Sequence, residues 1–350
     1  MNGIGFWFQQ EWTRSSAWQW LLRPFSWLFG SLIALRRLAY ARGWLRSRRL
    51  PVPVIVVGNI TVGGSGKTPL VIWLVEQLRA AGYSPGVISR GYGGTVRDSF
   101  EVGPHSDPIE VGDEPVLIAT RTETPLFIGR DRVAAGQALL ETHPNCDIII
   151  SDDGLQHYRL QRDIEIIVVD DAVGFGNGCL LPAGPLRERV SRLREVNAVV
   201  LNRSKDSLAT TADALADSVG MPQDPITMRL SGQVFRNLKD PERYALAADI
   251  RNQTIHAIAG IGRPQRFFDQ LRGLRLNVIE HAFADHHAFR PDDLAFAADT
   301  TVLMTEKDAV KCKVFAKENW WFLAVTAEID DRLMPRLLKK LRPTYGPQTA

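Results

Sequence analysis

Cysteine is scarce in this sequence, and clustered metal ligands are missing from it. The three cysteines, Cys146, Cys179 and Cys312, lie far apart, with no C-x-x-C pair and no histidine cluster at zinc-ligand spacing. The spacing therefore indicates neither a disulfide framework nor a zinc site, and it fits a reducing cytosol. No low-complexity tract or internal repeat indicates disorder or a solenoid.

The first 50 residues contain almost no acidic side chains. They hold eight arginines against the single acid Glu11, a net charge of +7, whereas the remaining 300 residues hold 34 basic and 38 acidic side chains. The same segment holds six of the nine tryptophans. Indole rings and arginines suit the headgroup layer of a membrane, so we expect residues 1–50 to be an amphipathic membrane-associating segment.

This segment lacks an uncharged run long enough for a typical membrane span. Between Arg23 and Arg36 lie 12 uncharged residues, whereas crossing the hydrocarbon core takes about 20. We therefore predict an interfacial helix, with a helix packed on the protein body and a spanning helix as the alternatives for residues 17–40. The start MNGIGFWFQQEW has no basic n-region, so a signal peptide is not indicated.

Beyond Pro51 short β-branched runs alternate with glycine-rich turns and helical stretches, which is typical of a mainly parallel sheet. With crossover helices between several strands, the pattern predicts a doubly wound α/β fold. A second strand-helix sequence begins at Thr254 and places a boundary near residue 240, separating residues 51–240 from a smaller α/β domain of residues 241–350. The predicted strands are 54–57, 86–89, 126–128, 147–151, 164–169 and 198–201.

The strongest local motif follows the first of these strands. Residues 58–69 read GNITVGGSGKTP, a glycine-rich turn that opens into a helix. Backbone N–H groups of such a turn point at phosphate oxygens, Lys67 is expected to reach the β and γ phosphates, and Thr68 to hold Mg²⁺. Residues 51–240 are thus predicted to be a P-loop NTPase-like domain that binds ATP and Mg²⁺. The loop residues are Thr61, Val62, Gly63, Gly64, Ser65, Gly66, Lys67 and Thr68, with Thr61 where the usual motif has glycine.

A metal ligand should follow a second apolar strand. Asp152 and Asp153 end such a run, and carboxylates beside Mg²⁺ are stabilised as anions. Asp170 and Asp171, after the next strand, form an alternative pair. ATP is favoured over GTP, because residues 305–308, TEKD, match the guanine-reading pattern [NT]-K-x-D only superficially.

Eight motifs occur in a fixed order along the chain. They are GNITVGGSGKTP at residues 58–69, SRGYG at 89–93, GDEP at 112–115, DDGLQH at 152–157, LPAGPLRE at 181–188, GIGRP at 260–264, DHH at 285–287 and TEKDAVK at 305–311. Together they make the chain resemble the tetraacyldisaccharide 4'-kinase family over nearly its full length, Thr61 included. The resemblance implies transfer of the ATP γ-phosphoryl group to the 4' hydroxyl of a tetraacyldisaccharide 1-phosphate, which gives lipid IVA in lipid A biosynthesis.

The same resemblance implies roles for particular residues. Asp113 is expected to be the general base, paired with a histidine from the second domain, and His286 is preferred to His287. Arg187 and Lys67 are the other expected catalytic residues. The residues expected to bind substrate are Arg90, Tyr92, Gln156 and His157.

The resemblance also bears on partners and location. A lipid substrate implies work at the cytoplasmic face of the inner membrane, without an obligate protein partner. The motif at residues 305–311 receives no chemical role beyond a domain-closing contact.

One other class of protein stays open on the residues themselves, namely a membrane-associated P-loop ATPase that acts as a switch or partner-binding module. A switch releases only free phosphate, whereas a kinase forms a phosphorylated lipid. Nucleic-acid binding is not expected, because the body of the chain is acidic.

Overall fold

Two β-sheets organise the chain in this computed structural model, which describes Trp12 and residues 17–203, 224–297 and 300–345. The strands in chain order are β1 (Val54–Gly58), β2 (Pro85–Ser89), β3 (Phe100–Glu101), β4 (Leu126–Ile128), β5 (Ile148–Asp152), β6 (Ile164–Asp170), β7 (Ala198–Arg203), β8 (Ile226–Ser231), β9 (Val234–Asn237), β10 (Tyr244–Leu246), β11 (Ile255–Ala259), β12 (Val278–Ala282), β13 (Thr301–Thr305), β14 (Trp320–Leu323) and β15 (Thr326–Ile329).

Helices lie between most of these strands. They are α1 (Ala17–Ala41), α2 (Lys67–Ala80), α3 (Pro108–Val111), α4 (Asp113–Thr122), α5 (Arg132–Thr142), α6 (Ala247–Ile250), α7 (Pro264–Gly273), α8 (Glu306–Cys312) and α9 (Leu333–Tyr345). Short 3₁₀ helices cover Val190–Arg194, Pro291–Ala297 and Lys313–Phe315.

The larger sheet has the order β15-β8-β7-β6-β1-β5-β2-β4-β3. Its strands pair in parallel from β8 to β4, and the edge strands β15 and β3 are antiparallel. This confirms the predicted doubly wound, mainly parallel sheet. Because β1 pairs with β5 in parallel, with Val57 opposite Asp152, the loop after β1 and the end of β5 meet at one edge of the sheet.

Both faces of the larger sheet are covered. Alternating side chains of β1 enter two separate cores, with Ile55 and Val57 on the α2 and α4 side and Val54 and Val56 on the α5 side. Every residue of β1, β5 and β6 is buried, as a parallel sheet between two helical layers requires. Each fully buried Ile or Val stabilises the fold by about 1.5–3 kcal/mol relative to an exposed one.

The smaller sheet has the order β10-β9-β14-β13-β11-β12, and α7 and α8 pack near it. Its strands come from the stretch between β8 and β15, so this lobe is an insertion in the larger one. After β14 the chain returns: β15 pairs with β8, and Leu333, Leu337 and Leu341 of α9 join the core beside α2.

The predicted domain boundary near residue 240 therefore does not coincide with a boundary between the two sheets. That position separates β9 from β10, which pair with each other through Tyr244 and Arg236. Residues 326–345, predicted to belong to the second domain, lie on the larger sheet. The apolar spacing of α9 predicts a buried face, but it does not say which core that face joins.

The helix α1 shows an inverted amphipathic pattern. Its buried positions are Gln19, Ser26 and Gly30, and Ser26 Oγ donates to Leu180 O at 2.8 Å while accepting from Ala183 N at 3.0 Å. Among the helices in the described part of the chain, none is both long and apolar enough to cross a membrane. The large apolar side chains of α1 that are 41–71% exposed are Trp20, Leu21, Phe25, Trp27, Leu28, Leu32, Leu35 and Leu38.

Candidate functional site

A cleft of about 480 Å³ lies between the two lobes, at the carboxyl ends of the parallel strands. This is where ligands bind in open α/β sheets. The larger lobe contributes the glycine-rich loop and the ends of β2 and β5, and the smaller lobe contributes the loops before α7 and α8. Predicted site residues that line the cleft are Val62, Gly63, Gly64, Gly66, Lys67, Thr68, Arg90, Tyr92, Asp152, Asp153, Arg187 and His286.

Two buried asparagines hold the conformation of the glycine-rich loop. Gly66 adopts a φ of +94° just before α2, and a Cβ there would come within 2.5 Å of the Asn202 amide nitrogen. That nitrogen donates to Ser65 O at 3.0 Å. Asn59 donates to Gly63 O at 3.2 Å. The loop is therefore fixed by buried amide groups, with the N-terminus of α2 facing the cleft.

Residues 60–62 at the start of the loop are hydrogen-bonded to residues 185–187. Val62 N donates to Pro185 O at 2.9 Å, and Arg187 N donates to Ile60 O at 2.7 Å. The same stretch of chain carries Leu180 and Ala183, which contact α1. One segment thus joins α1 to the phosphate loop.

Lys67 and Arg187 converge on one carboxylate at the mouth of this loop. Lys67 Nζ lies 3.5 Å from Asp153 Oδ1, and an Arg187 nitrogen lies 3.5 Å from Asp153 Oδ2. Burial alone would raise the pKa of Asp153, but the two nearby cations hold it below its ordinary value. Two cations and a helix N-terminus give the site the charge that a triphosphate needs.

Asp152, which directly precedes Asp153 in the chain, has different surroundings. It is buried, and burial together with the charges of Glu114 and Asp153 raises its pKa to about 7. Its Oδ2 accepts from Ser89 Oγ at 3.2 Å, while Oδ1 has no hydrogen-bond partner. An unpartnered buried carboxylate oxygen beside the phosphate loop fits a divalent cation.

The donor set around this oxygen is small. Within the described residues no group of three or more His, Cys, Asp or Glu side chains could hold a metal by itself. Mg²⁺ usually binds through one or two carboxylates, with phosphate oxygens and water completing its coordination. Asp152, Asp153 and Thr68 therefore fit Mg²⁺ that arrives with a nucleotide.

The alternative acidic pair, Asp170 and Asp171, lies at the end of β6. Asp170 is bound by two arginines of the smaller lobe, with Arg263 3.2 Å from Oδ1 and Arg266 3.1 Å from Oδ2. Arg266 also donates to Asn202 Oδ1 at 3.1 Å. Asp170 thus connects the lobes through ion pairs and lies among cations, which disfavours a metal ion there.

On the opposite side of the cleft, Asp113 and His286 meet across the two lobes. His286 Nδ1 lies 3.0 Å from Asp113 Oδ1 and 3.1 Å from Oδ2, and Glu114 N donates to Oδ1 at 2.9 Å. Because a carboxylate only accepts, Nδ1 carries the hydrogen and Nε2 is the nitrogen left for a ligand. Asp113 is 3% exposed, whereas His286 lines the cleft.

His287, the alternative partner, faces elsewhere. Its Nε2 lies 3.0 Å from Asp293 Oδ2, and its ring packs between Phe283 and Phe289. His286 reaches Asp113 from a backbone φ of +57°, a conformation that non-glycine residues rarely adopt. The turn itself thus directs the first histidine toward Asp113.

Two lysines of α8 approach the same carboxylate. Lys307 Nζ lies 3.9 Å from Asp113 Oδ1 and 3.0 Å from Glu114, and Lys311 Nζ lies 3.7 Å from Asp113 Oδ2. They are four residues apart and so project from one face of the helix. The motif at residues 305–311, which had no assigned chemistry, thus supplies cations to this pair.

These surroundings shift both partners toward the charged state. Burial alone would raise the pKa of Asp113, but the hydrogen bond with His286 and the charges of Lys307 and Lys311 lower it below its ordinary value. Burial alone would lower the pKa of His286, whereas its bond to Asp113 raises it above its ordinary value. The pair therefore titrates as a unit.

The four residues expected to bind substrate separate into two groups. Arg90 and Tyr92 are exposed and line the cleft, and the Tyr92 ring lies 5.2 Å from that of His286. Gln156 donates to Asn59 O and to Glu188 beneath the phosphate loop. His157 accepts from Arg132 N at the start of α5, and burial lowers its pKa to about 4. Gln156 and His157 thus support the site from behind.

Sequence reasoning missed several residues of the cleft. Glu114, Arg263, Arg266 and Lys307 all line it, and Lys311 lies behind it. The i, i+4 spacing of the two lysines could have indicated a shared face, but nothing local says that this face meets Asp113.

Comparisons with known proteins agree across nearly the whole chain. The model of the family described as Tetraacyldisaccharide-1-P 4'-kinase matches residues 18–342. The chain is 52% identical to the tetraacyldisaccharide 4'-kinase of Methylobacillus flagellatus, covering 96% of each chain, and 54% identical to that of Azoarcus sp., covering 92% of each. The crystal structure of LpxK from Aquifex aeolicus in complex with ATP is similar with a TM-score of 0.74 and 28% identity, over 92% of this chain and 99% of that one.

Proposed function

Because the chain belongs to the tetraacyldisaccharide-1-P 4'-kinase family and is a kinase of lipid A biosynthesis, we propose how its cleft performs the transfer. The γ-phosphoryl group of ATP passes to the 4' hydroxyl of a tetraacyldisaccharide 1-phosphate. The observation that carries the proposal is the pairing of Asp113 with His286 in the same interlobe cleft as Lys67.

The phosphates lie against the glycine-rich loop in this proposal. Its backbone N–H groups and the N-terminus of α2 bind them, and Lys67 meets the transferring group. Arg187 supplies a second positive charge, and its guanidinium can bind a phosphate through two hydrogen bonds. Asp152, Asp153 and Thr68 would hold Mg²⁺, which would neutralise phosphate charge during the transfer.

The acceptor hydroxyl gives its proton to the Asp113–His286 pair. Asp113 was the predicted base, but its burial and its bond to Nδ1 favour His286 Nε2 as the atom that meets the hydroxyl. Asp113 then orients the ring and stabilises the imidazolium. Arg90 and Tyr92, exposed at the mouth of the cleft, are available to the sugar or its 1-phosphate.

The surface of α1 supports a membrane location for this cleft. Its exposed side is apolar and its buried side polar, which is the reverse of a helix on a water-facing body. Arginines and tryptophans on the same helix suit an anionic headgroup layer. We propose attachment to the cytoplasmic face of the inner membrane, where α1 presents the lipid head group to the phosphate loop through residues 180–187.

One experiment separates this function from a switch ATPase. The protein is incubated with ATP labelled in the γ phosphate, Mg²⁺ and tetraacyldisaccharide 1-phosphate in detergent, and label in the lipid and in free phosphate is measured. A kinase labels the lipid, and Lys67→Ala removes most of that labelling because the transferring group loses its closest cation. Label in free phosphate alone would favour the switch.

A further inference from the structure

Lys311 is a buried cation that does not line the cleft. Its side chain is 7% exposed, and its Nζ lies 2.8 Å from Asp308 Oδ1, 3.7 Å from Asp113 Oδ2 and 5.0 Å from the centroid of the Phe289 ring. Burying an ammonium group is unfavourable unless carboxylates compensate its charge. The burial of Lys311 therefore indicates that its charge serves the carboxylates beside it.

The charges around the Asp113–His286 pair come from three elements. On α8 lie Lys307 and Lys311, on α4 lies Glu114, and Asp285 adjoins His286. Lys307 is shared among Asp113, Glu114 and Asp285. Lys311 lies beside two buried carboxylates, those of Asp113 and Asp308, and its side chain is less exposed than that of Lys307, so its charge acts on Asp113 with less screening by solvent.

We propose that Lys311 is a positioning residue for phosphoryl transfer, which holds Asp113 ionised and directed at His286 Nδ1, so that Nε2 stays free for the acceptor hydroxyl. The inference rests on the function proposed above. Lys311 touches no reacting atom, since Asp113 lies between it and His286.

The proton balance shows what Lys311 contributes. As the hydroxyl oxygen bonds to the γ phosphorus, its O–H bond breaks, an N–H bond forms at His286 Nε2, and the β–γ bridging oxygen leaves on ADP. Asp113 remains an anion throughout. Without Lys311 the pair binds its proton more tightly, so a larger fraction is already protonated near neutral pH and cannot accept another.

The anchoring of Lys311 also reaches the neighbourhood of the phosphate loop. Asp308 Oδ2 accepts from Gly260 N at 2.9 Å and from Thr305 Oγ1 at 2.6 Å. Two residues beyond Gly260, a Cβ on Gly262 would lie 3.6 Å from Gly64 N of the phosphate loop. The loop that contacts the nucleotide site is thus fixed by the carboxylate that holds Lys311.

The test compares Lys311→Met and Lys311→Arg in the full chain, with Lys313→Met as a control at an exposed lysine two residues away. For each variant kcat and kcat/KM for the lipid are measured from pH 5 to pH 9 at saturating ATP and Mg²⁺, and the KM for ATP is measured at pH 7. We expect Lys311→Met to lower kcat roughly tenfold at pH 7 and to move the acid limb up by about one pH unit. The KM for ATP should stay unchanged, and Lys311→Arg should restore most of the loss.

Two readouts keep the outcome decisive if Lys311→Met folds poorly. Lys307→Met removes the more accessible cation and should move the acid limb in the same direction, and ¹⁵N-histidine spectra follow the titration of His286 directly. An acid limb at the wild-type pH in folded Lys311→Met, or in Lys307→Met where Lys311→Met does not fold, would overturn the proposal with or without lost activity. A wild-type protein that fails to label the lipid would instead refute the proposed function.

Discussion

Asp152 and Asp153 are adjacent residues whose surroundings shift their pKa values in opposite directions. Burial and the neighbouring carboxylates raise the pKa of Asp152 to about 7, whereas Lys67 and Arg187 outweigh burial and lower that of Asp153. Asp152 ends β5 and is 1% exposed, whereas Asp153 lies in the turn beyond the strand, with a φ of +46°. Asp153 lies beside Lys67 and Arg187, whereas Asp152 accepts a hydrogen bond from Ser89 Oγ.

Replacement of Asp152 tests the proposed Mg²⁺ site. Asp152→Asn keeps the shape and the bond from Ser89 but removes a charged ligand, so we expect the Mg²⁺ concentration for half-maximal activity to rise about tenfold or more. Binding of ATP without Mg²⁺ should change little, because the loop is intact. Glu76→Gln on the exposed side of α2 is the control. An unchanged Mg²⁺ requirement would move the metal to other ligands.

Replacement of Asp113 tests the proton acceptor. Asp113→Ala should lower kcat by roughly 10²-fold while ATP binding stays nearly intact. The bond to Asp113 raises the pKa of His286, so in the wild type the acid limb of kcat/KM should lie above pH 6.5, the ordinary value for histidine. Loss of the carboxylate removes that effect and should move the residual limb to lower pH, opposite to the shift expected for Lys311→Met. An acid limb that stays at the wild-type pH in Asp113→Ala would show that Asp113 does not set the pKa of His286.

At the scale of elements, α1 is the helix whose surface pattern departs most from that of a water-soluble protein. Its positions at i, i+7 and i+11, namely Gln19, Ser26 and Gly30, contact the body, and Gly30 is needed because a Cβ there would lie 2.6 Å from Leu180. The polar side is thus used for docking, and the apolar side remains exposed.

Substitutions on the outer side of α1 should release the protein from membranes without unfolding it. Trp27→Ser combined with Leu32→Ser removes exposed apolar area only, since both residues are more than half exposed. We expect the variant to leave the membrane fraction, and to lose activity on lipid in bilayers more than on lipid in detergent. Val314→Ser, at a 93% exposed position of the smaller lobe, is the control. Unchanged sedimentation with membranes would place the anchor elsewhere.

At the scale of the whole molecule, the two lobes are joined by chain crossings and by ion pairs. The chain passes from the larger lobe to the smaller after β8 and returns after β14. Beside the return, an Arg121 nitrogen of α4 lies 2.7 Å from a Glu306 oxygen of α8. Both side chains are mostly buried, and the same arginine approaches Val325 O at 3.4 Å. This pair fixes α8, and with it both lysines, against α4.

Arg121→Ala should therefore weaken the junction. It leaves Glu306 buried and unpaired, which we expect to cost about 3 kcal/mol of unfolding free energy. Arg121→Ala with Glu306→Gln should recover part of that loss, because the second change removes the buried charge. Denaturant unfolding of the single and double variants measures the coupling. If the losses of unfolding free energy in the two single variants add up to the loss in the double variant, the ion pair contributes nothing to the stability of the junction.

Much of the larger lobe could be predicted from the sequence. All six predicted strands are present, because runs such as residues 148–151 are uninterrupted and buried on both faces. The boundary at residue 240 and the place of α9 could not be predicted, since they depend on which sheet a segment pairs with. Gln156 and His157 lie in a family motif, yet Gln156 bonds beneath the phosphate loop and His157 bonds to the start of α5, so neither hydrogen bond faces the cleft.

The sequence by itself determined the phosphate loop, the mainly parallel sheet and the charge asymmetry of the first 50 residues. Each depends on neighbours in the chain, where glycine spacing, strand periodicity and composition act directly. Only the tertiary structure decided that His286 and not His287 meets Asp113, and that Lys311 lies behind them. Asp113 and His286 are 173 positions apart, on different lobes. Their interaction depends on the return of the chain between two sheets, which no local pattern specifies.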